Sequence, residues 1–176
     1  MDDQTVTRLA LAPAVARMLE RPQATGGEML RKFLRYGEAL VSADPSALDL
    51  LVEPNARLHD LEAMGLPPGL AGLKLFRQMI NAAFPDERPE LLRIELEGNN
   101  IVAAELTATG THRGELMGIP PTGRVATWLI HARVRFHGDK VAERWDVVDV
   151  DDLMSQLTTA DRPSPSDPAA TSGQDA

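Results

Sequence analysis

The sequence predicts an α+β domain, with helices in its first half and an antiparallel sheet in its second. Three observations predict it. Apolar residues recur at helical spacing over Met29–Val41 and again over Leu70–Phe84. From Leu92 onward the period switches to two. Short turns such as Gly98-Asn99-Asn100 and His137–Lys140 join the later runs, which suits a meander with helices packed on one face.

The chain has 176 residues, enough for one domain with a full apolar core. It has no cysteine, so disulfides and thiolate metal sites are excluded. The formal charge of −8 argues against a general affinity for nucleic acid phosphates. No apolar run is long enough to cross a membrane, and no cleavable-signal pattern follows the acidic start, so a cytoplasmic location is expected.

Residues 1–26 read as an N-terminal extension outside the main domain. Val6, Leu9, Leu11, Val15, Met18 and Leu19 suit a helix interrupted by Pro13. The main domain runs over 27–158. Met29, Leu30, Phe33, Leu34, Gly37, Leu40 and Val41 form the stripe of its first helix, which Asp44-Pro45 stops, because proline disfavours helical backbone in the residue before it. A helical turn over Ser46–Leu51 and an extended piece to His59 follow. Gly65-Leu-Pro-Pro-Gly69 is a loop, and Leu73, Phe76, Met79, Ile80 and Phe84 form the stripe of the next long helix. The strands are then 92–97, with Leu92, Ile94 and Leu96 on one side, followed by 101–112, 125–136 and 141–149. A short helix over Asp151–Leu157 closes the domain. Residues 159–176 are rich in Ser, Thr, Pro, Asp and Ala without a large apolar side chain, the composition of a disordered tail.

The strand 125–136 has two unlike faces. Ala126, Trp128, Ile130, Ala132, Val134 and Phe136 are apolar, whereas Val125, Thr127, Leu129, His131, Arg133 and Arg135 are mixed. The alanines leave room for a ligand or for a packed helix. On strand 101–112 a face of small apolar residues ends in His112, either a hydrogen-bonded structural histidine or a titratable group at a pocket mouth. The last strand sets Glu143 and Trp145 on one side and Arg144, Asp146 and Val148 on the other. Trp145 and Asp146 form either a packed edge with solvated charge, or a pocket wall with a carboxylate in reach of His112. His59-Asp60, before the Pro/Gly loop, is either a turn cap with an exposed histidine or a functional pair carried on the scaffold.

No zinc-protease helix, paired histidine–carboxylate spacing, nucleophile elbow, phosphate loop or dinucleotide fingerprint is present. Chemistry without metal or cofactor, or simple binding, is what remains.

Leu58-His-Asp60, Gly65-Leu-Pro-Pro-Gly69, Phe76 and Phe84-Pro-Asp86 resemble the first half of SnoaL-like polyketide cyclase and ester cyclase domains. Thr109-Gly-Thr-His112, Gly114-Glu115, Gly118-Ile-Pro-Pro-Thr-Gly123, Arg135-Phe136 and Glu143-Arg-Trp-Asp146 resemble the second half. The resemblance implies a nuclear transport factor 2-like cone, in which helices and a curved antiparallel sheet enclose a deep pocket, assembled as homodimers or homotetramers. It implies cofactor-free ring closure by intramolecular aldol condensation of a hydrophobic polyketide-like substrate. In such cyclases the acid/base is typically an Asp on the strand before the Arg-Phe pair. Here that position is Ala132, a departure from the pattern. The candidate catalytic residues are therefore His112, Asp146 and His59, and the candidate pocket residues Asp60, Trp128, Ala132 and Trp145. A cyclase or isomerase is expected. The alternatives are a non-catalytic binding or dimerisation module, or an epoxide hydrolase-like enzyme, which would need a carboxylate pair and an activated water inside.

Overall fold

A computed structural model describes residues 9–11, 27–42 and 44–159, together with positions 13 and 16. The segment expected to be a disordered tail lies outside the described residues, apart from Thr159. The elements are β1 (Ala10–Leu11), α1 (Gly27–Val41), a 3-10 turn (Pro45–Ala47), α2 (Leu48–Leu51), β2 (Val52–Leu58), α3 (His59–Ala63), α4 (Gly69–Ala83), β3 (Arg88–Glu97), β4 (Ile101–Thr111), β5 (Val125–His137), β6 (Lys140–Val148) and α5 (Val150–Thr158).

The strands form one sheet in the order β1-β3-β4-β5-β6-β2. The central β3–β6 meander is antiparallel, and the short β1 and longer β2 add parallel strands at its two edges. The predicted N-terminal helix is corrected at residues 10–11, positions 13 and 16 are helical, and the rest of that segment lies outside the described residues. Ala10 and Leu11 are extended and pair with Glu90 and Leu91, and Leu9 beside them is buried in the main core. Unpaired groups on the β3 edge supply a ready hydrogen-bonding partner, and that outweighs local helical periodicity.

Helix α1 stops before Asp44, whose side chain accepts from the Ser46 N–H at 2.8 Å and so starts the 3-10 turn with Pro45 in its first position. Helix α4 approaches the preceding loop so closely that a Cβ on Gly72 would lie 1.8 Å from the Pro67 carbonyl oxygen. Asp149 caps α5 through the Asp152 N–H. Gln156 of α5 then accepts from the Thr127 N–H and donates to its C=O, at 2.9 and 2.8 Å. These bonds satisfy β5 where β6 has ended. No described helix is long and apolar enough to cross a membrane.

The β5 alternation holds along the strand, with Ala126, Trp128, Ala132, Val134 and Phe136 buried. Two departures from strict period two occur. Leu91 pairs with Leu106 and Arg93 with Glu105, so Leu92 is an extra residue. Of the predicted set, Ile94 and Leu96 pack on the core, and Leu91 takes the inward place expected of Leu92. On β6, Val141 pairs with Phe136 and Glu143 with Arg135, which makes Ala142 the extra residue. That bulge resets the pleat, and Arg144 and Asp146 face the helices while Glu143 and Trp145 face away.

Candidate functional site

Between the inner sheet face and the helices lies a cavity of about 420 Å³. Most of its lining is apolar, with Phe33, Phe76, Phe84, Trp128, Ile130 and Val134 among the walls. Methionines 64, 79, 117 and 154 also line it, and Met64, Met79 and Met117 are substantially exposed. The ionisable side chains in the lining are Tyr36, Asp60, Arg77, Glu87, Arg144 and Asp146.

Four of these form one cluster. Arg144 is 2% exposed and bonds Asp60 through both carboxylate oxygens, with Nε at 3.3 Å from Oδ1 and Nη2 on Oδ2. Its Nη1 donates to the Tyr36 hydroxyl at 3.3 Å, and its Nε lies 3.5 Å from Asp146 Oδ2. Asp146 Oδ1 is buried without a hydrogen-bond partner. Burial pushes the Asp146 carboxyl up to about 6, against the pull of Arg144 and with Asp60 adding to the rise. Burial works against the Arg144 charge, but Asp146, Tyr36 and Asp60 outweigh it and push its pKa up. Burial likewise raises the Tyr36 phenol. The arrangement holds a permanent cation beside a carboxylic acid poised to change charge near neutral pH, which suits proton transfer.

The structure divides the residues singled out from sequence. Asp60, Trp128, Ala132 and Asp146 line the cavity. Ala132 and Asp146 are cross-strand partners on the same inner face, so the Asp146 carboxylate projects beside the alanine. His59, Trp145 and His112 do not line it.

His59 and Asp60 part at the β2–α3 junction. Asp60 turns to Arg144, whereas His59 goes to the outer sheet face. There its ring stacks on Trp145 at 5.0 Å and its Nε2 meets Glu143 at 2.8 Å. Arg133 and Arg135 lie over the same indole at 5.5 and 5.3 Å. The His59 hydrogen bond, with the Arg135 charge, holds the Glu143 carboxyl below its ordinary value. Trp145 is thus an outer-face platform, because the bulge sends the odd-numbered residues of β6 outward.

His112 has the predicted inward parity and is fully buried, but it sits behind Phe84, ring to ring at 5.5 Å. Its partner is Thr122, not Asp146. Nδ1 accepts from the Thr122 N–H at 3.3 Å and lies 3.1 Å from its hydroxyl. Burial lowers the His112 pKa, with the Gly114 backbone opposing. The segment around it is pinned by Arg113 and Gly114 N–H groups on the Ala83 carbonyl, and a Cβ on Gly114 would lie 2.2 Å from the Ala82 oxygen. The His112 Nε2 is buried without a hydrogen-bond partner, and Leu116 and Met117 of the following loop reach the cavity where His112 does not.

Sequence reasoning missed Tyr36 and Arg144. Tyr36 lies three residues after Phe33 on the α1 stripe, and that spacing carried the signal. Arg144 shares a face with Asp146 and Val148; two opposite charges beside an apolar residue mark a buried pair.

The family model for SnoaL-like polyketide cyclases matches residues 31–157. Among solved structures, IdmH of Streptomyces antibioticus, a proposed polyketide cyclase, is 29% identical, with a TM-score of 0.64 over 75% of this chain and 99% of its own. AclR of Streptomyces galilaeus, a proposed hydroxylase, is 28% identical, with a TM-score of 0.63 over 76% of this chain and 82% of its own. A SnoaL-like protein of Jannaschia sp. CCS1 shares the fold at 15% identity, with a TM-score of 0.67 over 81% of this chain and 99% of its own. No match is found among curated proteins.

Proposed function

Because the chain belongs to the SnoaL-like polyketide cyclase family, with its nuclear transport factor 2-like fold, we propose that the cavity enolises and cyclises a hydrophobic carbonyl substrate with Asp146 as proton carrier. One observation carries this reading. Asp146 lines the apolar cavity, keeps one buried oxygen without a partner and stands directly across from Ala132. The acid/base position that the resemblance leaves empty on β5 has a carboxylate beside it on β6.

The chemistry balances without a co-reactant. The ionised Asp146 removes a proton alpha to one carbonyl, and the C–H electron pair becomes an enolate. The enolate carbon then bonds to a second carbonyl carbon of the same chain, and the proton returns from Asp146 to the new alkoxide. Tyr36 accepts from Arg144 through its oxygen, which leaves its own proton to donate to the enolate oxygen. The apolar walls exclude water and hold the two reacting carbons together.

Incubation in D₂O with β-keto esters and aromatic polyketide methyl esters tests this, with mass spectrometry following deuterium at the alpha carbon and ring closure. Wild type and His112→Ala should both exchange, and Asp146→Asn should fall at least about 100-fold, the usual scale of general acid–base catalysis. Exchange that persists in Asp146→Asn sinks the assignment.

A second reading is supported by the carboxylate pair itself. Asp60 and Asp146 flank one guanidinium, an arrangement that suits a base on water and an acid on an epoxide oxygen. Incubation of epoxides in H₂¹⁸O, with labelled diol as the product, would favour it over aldol chemistry.

A further inference from the structure

The cavity has a second polar pole, built from α4 and the segment before β3. Arg77 and Glu87 both line the cavity, and their side chains are only 11% and 9% exposed. The Arg77 Nη2 donates to Glu87 Oε2 at 2.6 Å and to Asn81 Oδ1 at 2.9 Å. Its Nε is buried and has no acceptor. A buried N–H without a partner is rare in a folded protein, and at a cavity wall it is a donor held ready for a ligand oxygen.

Charge selects the ligand group. Glu87 already neutralises Arg77 at contact distance, so the pair presents a donor but no net positive charge. A free carboxylate would meet Glu87 as a like charge. A neutral oxygen meets only the N–H. We propose that Arg77 Nε is a specificity-determining donor for a neutral carbonyl, an ester or ketone oxygen, at a point of the substrate other than the carbon that Asp146 deprotonates. This rests on the cavity being the substrate pocket. It adds that the substrate enters esterified or as a ketone, and that the corresponding free acid is rejected.

Probes without an alpha proton separate recognition from turnover. Methyl 2-naphthoate, 2-naphthoate and 2-(methoxymethyl)naphthalene differ in the carbonyl and the charge while keeping one ring system. Calorimetric titration of wild type should rank the ester above both others by roughly 10- to 100-fold, the range of a hydrogen bond to a charged group. Asp146→Asn should keep that ranking. Arg77→Met should lose it while still binding the ether, and the double variant Arg77→Met/Glu87→Gln does the same without leaving Glu87 alone. Lys74→Ala is the control for the groove of about 450 Å³ that Arg77 also lines on its other side.

Equal binding of ester and ether by wild type overturns the proposal, as does an ester preference that survives in the double variant. A preference lost in Lys74→Ala would place the ligand in the groove and overturn it too. If wild type binds none of the probes, the cavity is not a pocket of this kind and both readings fall. A ranking that holds while Asp146→Asn still exchanges deuterium sinks only the enolisation reading.

Discussion

Replacing Asp146 with asparagine should stabilise the protein at neutral pH while removing its proton carrier. The ordinary value of an aspartate is 3.8, and burial raises Asp146 to about 6. In the unfolded chain the carboxyl ionises first. Below pH 3.8 both states hold the proton, and Asp146 costs nothing. As pH rises, the unfolded state gains free energy from ionisation that the folded state cannot match until about pH 6. The gap of about 2.2 pH units at about 1.4 kcal/mol each amounts to roughly 3 kcal/mol against folding, fully present above pH 6. The neutral amide of the asparagine variant would carry no such penalty. Arg144 would keep Asp60 on two nitrogens, so its charge would not be stranded. Urea unfolding of wild type and Asp146→Asn from pH 4 to 8 reads the difference directly, since other groups titrate alike in both. The advantage of the variant should grow by about 2 kcal/mol between pH 4 and 6.5 and then level. A difference flat with pH, or one that shrinks as pH rises, would refute the buried-acid reasoning.

Three further outcomes are expected. His112, buried and pushed below its ordinary 6.5, should titrate by NMR at a pH lower than that value; because its folded pKa is lowered, its contribution to stability is present above 6.5 and is lost as pH falls through the folded value. A normal imidazole titration would contradict that. Gly72→Ala places a Cβ on the Pro67 carbonyl and should cost about 1–3 kcal/mol in chemical denaturation, whereas Gly98→Ala, with open space around it but φ at +66°, should cost only about 1 kcal/mol. Ala132→Asp in the Asp146→Asn background moves the carboxylate across one strand pair and should restore measurable deuterium exchange; a double variant as inert as the single one would show that proton transfer depends on more than a carboxylate at this depth.

The parts legible in sequence were those governed by period and punctuation. The one-sided apolar face of β5, the α4 stripe and the Asp44-Pro45 stop each follow from local rules that tertiary packing leaves intact. Bulges were not legible. Leu91-Leu92 offers two apolar neighbours, and only pairing with β4 decides which one is extra. His59 and Asp60 show the limit at a strand-to-helix junction, where adjacent residues leave in opposite directions and the backbone dihedrals decide which goes inside. His112 shows another: its parity was readable, but not that Phe84 would stand between it and the cavity. Arg144 was overlooked because an arginine on a strand suggests solvent, and its burial depends on Asp60 and Tyr36 arriving from distant parts of the chain.

The extra residue at Ala142 has a consequence for how such chains diverge. With Ala142 kept but the bulge ironed out, so that Ala142 paired with Arg135, Glu143 and Trp145 would turn toward the helices and Arg144 and Asp146 toward the open side, whereas deleting Ala142 would leave each facing as it does. A one-residue slip of the pairing there would exchange an acid–base floor for an indole and a glutamate without altering any residue that makes the chemistry. Within this lineage, point substitution is then the slow route to a new pocket, and a change of register at the bulge is the abrupt one.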